Sequence, residues 1–263
     1  MSDLVHLDVA GGVGRITLDS PENRNALSTR LTTDLERCVD AALADDRVRV
    51  IVLTGAGPVF CSGADLKEQR ARNEAGQQGA PGVSGTLTGL PGIITALWES
   101  PKPVVGRING PARAGGLGLV AACDIAVGVE GATFGFSEVR LGVIPAIISV
   151  VCIPKLGPAR AMELFLTGEP FDAGRATEWG LLNAAVPASE LDDAVGHCVA
   201  NILKGAPSAL AGAKQLVRRV PGMPMAEAFA WTAAESGRFF ASADALEGMT
   251  AFAEKRPPRW ANR

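Results

Sequence analysis

Three glycines and one acid suggest the chemistry of this chain: Gly115, Gly116 and Gly118 in a turn reading R-A-G-G-L-G-L, and Glu138 further along. The glycines remove Cβ atoms where an apolar segment, 117–122, reads as the start of a buried helix, so another molecule can reach bare backbone there. A helix N-terminus carries unpaired N–H groups and partial positive charge, which makes it a seat for an anion. Glu138 follows an aromatic segment and lies among Phe134, Phe136, Val139, Leu141 and Val143. Apolar surroundings disfavour the charged form of a carboxyl and move it toward proton transfer. An anion seat with a nearby carboxylate is what an enzyme needs to form and quench an oxyanion.

Other readings of these residues are weaker. Gly116-Leu117-Gly118-Leu119-Val120-Ala121 satisfies the G-x-G-x-x-G/A dinucleotide fingerprint, with an acid about 20 residues on. Against it, the turn 109–114 separates the motif from the preceding strand, the acid does not end the next strand, and the motif lies mid-chain. The plain alternative is that these glycines allow close helix packing. Nucleophilic catalysis has little support, because the two histidines, His6 and His197, are far apart and there is no G-x-S-x-G elbow. Ser62 and Cys61 have no recognisable base, and no metal site is expected from the scattered acids and histidines.

The elements that must position these residues follow from pattern. Segments 4–9 and 13–18 around Gly11-Gly12 predict a hairpin, and 31–43 has helical periodicity. Strands are expected at 48–54, 104–108, 125–129 and 181–186. A helix opens at Ala64-Asp65, and 93–98 resumes patterning after 74–92, which reads as a mobile surface loop. Further helices are expected at 159–166 and 173–179, separated by a turn at 167–171, and then at 191–203, 208–219, 225–240 and 243–253. The order is therefore α/β for two-thirds of the chain and helices thereafter. With 263 residues, 47% hydrophobic and 20% charged, the chain fits a soluble globular protein. Its net charge of −3 argues against a nucleic-acid surface. Five cysteines without a CxxC pair fit reduced thiols, hence a cytoplasmic setting. The N-terminus shows no signal peptide, and the most apolar run, 143–153, is too short to cross a bilayer.

Taken in order, PENRNALS (21–28), VIVLTGAGPVFCSGADLKE (50–68), INGPARAGGLGLVAACDIAV (108–127), ATFGFSEVRLGVIP (132–145), LTGEPFDAGRATEWGLLNAAVP (166–187) and FAEKRPPRW (252–260) resemble the crotonase (enoyl-CoA hydratase/isomerase) superfamily. The resemblance implies a ββα spiral core over 1–190 and a C-terminal α-helical region over 191–263 that mediates trimers, often paired into hexamers. It implies an acyl-CoA substrate whose thioester oxygen lies between the N–H groups of Ala64 and Gly115, with Glu138 as acid and base. Arg24 matches a basic position near the CoA phosphates, and Phe252 and Lys255 match positions that contact the adenosine end across a subunit boundary. Ala26, Ser62, Asp65 and Leu66 complete the implied substrate and CoA contacts. No cofactor is implied, since coenzyme A enters with the substrate. One departure stands out: two-carboxylate hydratases of the family carry a further glutamate where this chain has Gly118. The leading expectation is hydration of a 2-enoyl-CoA by one glutamate. Enoyl-CoA isomerisation, acyl-CoA decarboxylation and non-catalytic acyl-CoA binding are the alternatives. Arg113 in the turn is unusual; pairing with a substrate carboxylate and an outward orientation are both open.

Overall fold

The computed structural model describes residues 3–75 and 87–262. Its centre is a six-stranded sheet in the order β1-β2-β3-β4-β5-β6, made of Val5–Ala10, Val13–Leu18, Val50–Gly55, Val104–Ile108, Ile125–Val129 and Ala184–Val186. The first two strands form the expected hairpin, Val5 opposite Leu18, and every later pair is parallel. The third strand, rich in β-branched residues, is buried at every position, as suits a parallel sheet covered by helices on both faces. A second sheet has three very short strands: β7 (Ala112–Arg113), β8 (Thr133–Gly135) and β9 (Phe171–Asp172).

Helices follow the strands in α/β order. α1 (Thr29–Ala44) is capped by the Ser28 side chain and buries Leu31, Leu35, Cys38, Val39 and Ala42 along one stripe. α2 (Leu66–Glu74) is capped by Asp65, and α3 (Gly89–Glu99) buries Ile93, Ile94 and Leu97. α4 (Gly115–Ala122) is buried at all eight residues, so it lacks the amphipathic pattern of a surface helix. α5 (Ala146–Leu156), α6 (Pro158–Thr167) and α7 (Ala173–Glu178) complete the core, and α8 (Leu191–Leu203), α9 (Pro207–Arg219), α10 (Met225–Phe240) and α11 (Ala243–Ala253) follow without further strands.

Several boundaries differ from the sequence expectation. The apolar run 143–153 supplies a helix, α5, which the sequence reading left unassigned; Pro145 stands at its N-cap, where no helical N–H is lost. The strand expected at 181–186 shortens to Ala184–Val186, because Leu181 and Leu182 both turn inward on Ala176 O. The turn expected at 167–171 ends in β9, and the turn 109–114 contains β7. Of the loop expected at 74–92, Glu74 ends α2 and residues 89–92 belong to α3, which tolerates Pro91 in its first turn; residues 76–86 lie outside the described residues.

The C-terminal helices are tied back to the sheet by charge and by apolar contact. α8 buries Leu191, Val195 and Val199 on the face of β3 and β4 that shows Val50, Val52 and Val105. Asp124 accepts from Lys214 (2.7 Å) and Arg218 (2.6 Å) of α9 and from the Val104 N–H (2.7 Å). Arg49 donates to the carbonyls of Leu203, Gly205 and Trp260, fastening the tail. Among the described residues, no helix is long and apolar enough to cross a membrane.

Candidate active site

The site is assembled where three chain segments are stitched together at the N-terminus of α4. Asn25 is buried at φ 53°, and its Nδ2 donates to the carbonyls of Val59 (2.8 Å) and Ala56 (3.0 Å) while its Oδ1 accepts the Ser20 N–H. This fixes the turn before α1 against the loop after β3. From that turn Leu27 N–H donates to Gly63 O (2.7 Å), and Arg24 O accepts from Ser62 N–H (3.1 Å). On the opposite side Arg113 N–H donates to Cys61 O (3.0 Å), and Cys61 and Ala112 pair as an isolated parallel bridge. Ala114 N–H then donates to Gly135 O (3.2 Å).

Gly115 is thereby brought up to Gly63, the residue before Ala64. A Cβ built on Gly115 would lie 4.0 Å from the Gly63 Cα. Two other glycines permit the approach: a Cβ on Gly63 (φ 85°) would sit 2.8 Å from Arg113 O, and one on Gly116 2.6 Å from Cys61 O. Ala114 takes φ 47°, ψ −120° at the entry to α4, a conformation that costs an L-residue about 1–3 kcal/mol. Among the described residues, the backbone hydrogen bonds that join loops and elements include none donated by the N–H of Ala64 or Gly115. For Gly115 the reason is plain, because the first N–H groups of a helix have no partner inside it.

Glu138 comes from another element. It is the first residue of a short 3-10 turn, Glu138–Leu141, that follows β8. The preceding Phe136 packs edge-on against Phe165 (4.7 Å) and stacks with Phe171 (6.4 Å), which fixes the segment in the core. Glu138 is 9% exposed, and among the described residues its Oε2 has no hydrogen-bond partner. Burial holds its carboxyl above the usual carboxylate range. From α5, Cys152 comes near enough that the Glu138 charge, after burial, helps push the thiol up.

The same face of α5 closes over Gly118. A Cβ at 118 would lie 2.5 Å from Ile148 Cγ2, 3.1 Å from Ile148 Cβ and 3.0 Å from Ile94 Cδ1. Ile148 and Cys152 are one turn apart, so one stripe of α5 borders both the glycine and the acid. Where the two-carboxylate pattern would carry a second acid, this chain therefore has an apolar plug. The glycines that satisfy the dinucleotide fingerprint serve close packing here, as the plain alternative anticipated.

The remaining sequence candidates are spread around this centre. Ala26 is buried, Ser62 half-buried, and Ala64, Leu66 and Arg24 are exposed on the same side chain-segment cluster. Asp65 caps α2, accepting from Lys67 N–H (3.0 Å) and Glu68 N–H (3.1 Å), and also from Asn23 Nδ2 (2.8 Å). These bonds, that of Glu68 first, hold its carboxyl below the usual range. Phe252, 87% exposed, and Lys255, at φ 53°, lie at the far end of α11, which is not part of the stitched cluster. Arg113 does not point outward: its guanidinium bonds to the carbonyls of Ala112 and Thr133 and to Thr133 Oγ1. Ile148 lies in the bulky run 143–151, while Asn25 and Ile94 shape the site but went unnoticed in the sequence. For Asn25 the available signal was an Asn at a turn, where positive φ is tolerated; for Ile94 there was none.

The comparisons with known proteins converge. The family model described as enoyl-CoA hydratase/isomerase matches residues 8–263. A Thermus thermophilus protein, described provisionally as an enoyl-CoA hydratase, is 36% identical over 250 residues, covering 95% of this chain and 98% of its own. A carnitinyl-CoA dehydratase of Proteus mirabilis is 34% identical over 269 residues and covers both chains fully. The crystal structure of an enoyl-CoA hydratase from Mycobacterium smegmatis superposes with a TM-score of 0.87 at 32% identity, covering 98% of this chain and 99% of its own.

Proposed function

The chain belongs to the enoyl-CoA hydratase/isomerase family, and on that premise we propose that it is a lyase adding water across the double bond of a 2-enoyl-CoA, or removing it in reverse. The observation that carries this reading is the glycine-opened start of α4, with Gly115 against Gly63, the residue before Ala64, together with a buried carboxyl, Glu138, whose Oε2 has no partner among the described residues. In the reaction the thioester oxygen accepts from the N–H groups of Ala64 and Gly115. As charge moves onto that oxygen in the enolate, the two donors and the α4 N-terminus stabilise it, and each such donor is worth about 2.7–4 kcal/mol in the barrier. Glu138 delivers and removes the protons. A carboxyl raised by burial passes between acid and base more readily near neutral pH than an exposed one. Relatives named as hydratase and dehydratase run the two directions of this chemistry.

The apolar plug at Gly118 favours a second reading, double-bond isomerisation, in which Glu138 carries one proton between two carbons and no water is held. We assign Arg24, Ala26, Ser62, Asp65, Leu66, Phe252 and Lys255 to acyl-CoA binding, and require no metal or further cofactor. The apolar side chains that α10 and α11 leave exposed, including Phe229, Phe240, Leu246 and Phe252, suit burial in a homotrimer or a dimer of trimers. A cytoplasmic setting agrees with five free cysteines.

The test is mass spectrometry of crotonyl-CoA and 3-hexenoyl-CoA incubated with the protein in H₂¹⁸O, beside Glu138→Gln. Labelled 3-hydroxyacyl-CoA that is lost with Glu138→Gln supports the lyase. Conversion of 3-hexenoyl-CoA to 2-hexenoyl-CoA without label moves the assignment to isomerase. Both substrates unchanged after hours would refute the reading.

A further inference from the structure

The buried side of the anion seat holds an arginine whose role the reaction above does not explain. Arg113 is half-buried, two residues before Gly115, in the strand that feeds α4. Its guanidinium donates to Ala112 O (2.9 Å), to Thr133 O and to Thr133 Oγ1 (2.7 Å), which ties β7 to β8. Its Cδ and Nε lie about a van der Waals contact from Gly135, where a Cβ would meet each at 3.7 Å. Gly135 O is the acceptor that holds Ala114 N–H, and Ala114 is the strained residue that turns Gly115 into place. The clamp and the strained turn therefore act on one short piece of backbone.

The charge is also unusual. All three bonds go to neutral oxygens, and among the described residues no carboxylate pairs with Arg113; burial alone perturbs it, toward a lower pKa. An arginine stays protonated all the same. A half-buried cation without a counter-charge is partly desolvated at a cost, and such costs persist where the surrounding structure imposes them for function. A simple stitch between two strands needs no charge.

We propose that Arg113 is the positioning residue of the oxyanion seat: its clamp on Thr133 fixes the Ala114–Gly115 turn, and its uncompensated charge strengthens the field felt by an oxyanion held there. The proposal rests on the acyl-thioester reading of the site. It gives the guanidinium a role toward the protein's own backbone, through its bonds to Ala112 and Thr133, in place of a salt bridge to a substrate carboxylate. A preorganised charge of this kind stabilises the enolate more than the ground-state thioester, so it acts on kcat more than on KM.

The experiment compares wild type with Arg113→Met and Arg113→Lys, all checked for thermal unfolding. The probe is 2,4-hexadienoyl-CoA, whose long-wavelength absorption moves to the red as its carbonyl is polarised; crotonyl-CoA turnover is measured alongside. We expect a red shift on wild type that Arg113→Met reduces by at least half, with kcat down about 10- to 100-fold, less than the roughly 10²–10³-fold loss on deleting a donor outright. KM should change less than threefold. Arg113→Lys, which keeps the charge without the planar fork, should recover part of the shift. Loss of folded protein would lower the amplitude of the bound band and leave its position alone, so a purely structural role is distinguishable. A full red shift with Arg113→Met overturns the proposal, and Arg113→Lys matching Arg113→Met overturns its electrostatic part. No red shift on wild type would refute the acyl-thioester reading itself, and the Arg113 proposal with it.

Discussion

Replacing Gly118 by alanine sets two ordinary effects against each other and isolates the plug on the α4–α5 contact. In an exposed helix the change would stabilise by about 1 kcal/mol, because glycine has the greater freedom to lose. Here the new Cβ meets Ile148 Cγ2 at 2.5 Å, Ile94 Cδ1 at 3.0 Å and Ile148 Cβ at 3.1 Å. Cγ2 sits directly on the branched carbon of a residue only 3% exposed, so it cannot swing away without a rotamer change or a shift of α5. Overpacking of this kind costs about 1–3 kcal/mol. The net expectation is a loss of up to about 2 kcal/mol, or a midpoint lowered by about 2–4 °C per kcal/mol for a chain of this size. Denaturant unfolding at one protein concentration would measure it, with Ile148→Ala and the double variant completing a cycle. In the Ile148→Ala background the Cβ at 118 enters vacated space, so Gly118→Ala should stabilise there by about 1 kcal/mol, a coupling of roughly 1–3 kcal/mol. Gly118→Ala that stabilises the wild-type chain, or a cycle additive to within about 0.5 kcal/mol, would refute the plug.

Other perturbations address the acid, the hole and the CoA end. The Glu138 carboxyl is raised in the folded state, so its contribution to stability is fully present below the unfolded value near 4.5 and is lost as pH rises through the folded value. Glu138→Gln should therefore be more stable than wild type at pH 7, with the difference vanishing below about pH 4, while its turnover falls about 10²–10⁴-fold. A pH titration of the unfolding midpoint that shows equal stabilities at pH 7 would contradict the burial argument. Gly63→Ala, whose Cβ would press on Arg113 O at 2.8 Å and Ala114 Cβ at 2.9 Å from a φ of 85°, should part the two donors and lower kcat at least tenfold in steady-state assays. Phe252→Ser should raise KM for the CoA thioester with kcat unchanged, as expected for binding remote from the reacting bond; a kcat defect instead would place α11 nearer the chemistry.

Much of the positioning frame was legible in the sequence because its signals are local. Alternation and Gly11-Gly12 specify the hairpin, the apolar period of α1 specifies its buried stripe, and the strongly β-branched run 48–54 specifies a buried strand. The helix opening at the glycines and the burial of Glu138 beside Phe134 and Phe136 were likewise readable, since a glycine turn before a helix and an acid among aromatics are patterns of neighbouring residues, although Leu141 and Val143 are exposed. The family motifs added the order and spacing that joined these pieces into one fold. What the chain by itself did not decide lies in contacts between segments far apart in sequence. Ile148 fills the space beside Gly118, Arg113 turns inward to Thr133, and Asn25 holds the loop after β3. None has a periodicity or a spacing to betray it, because close packing is a property of surfaces brought together only on folding. The sequence alone thus determined that position 118 carries glycine and no acid, and the tertiary structure decided that the space beside it is closed by hydrocarbon.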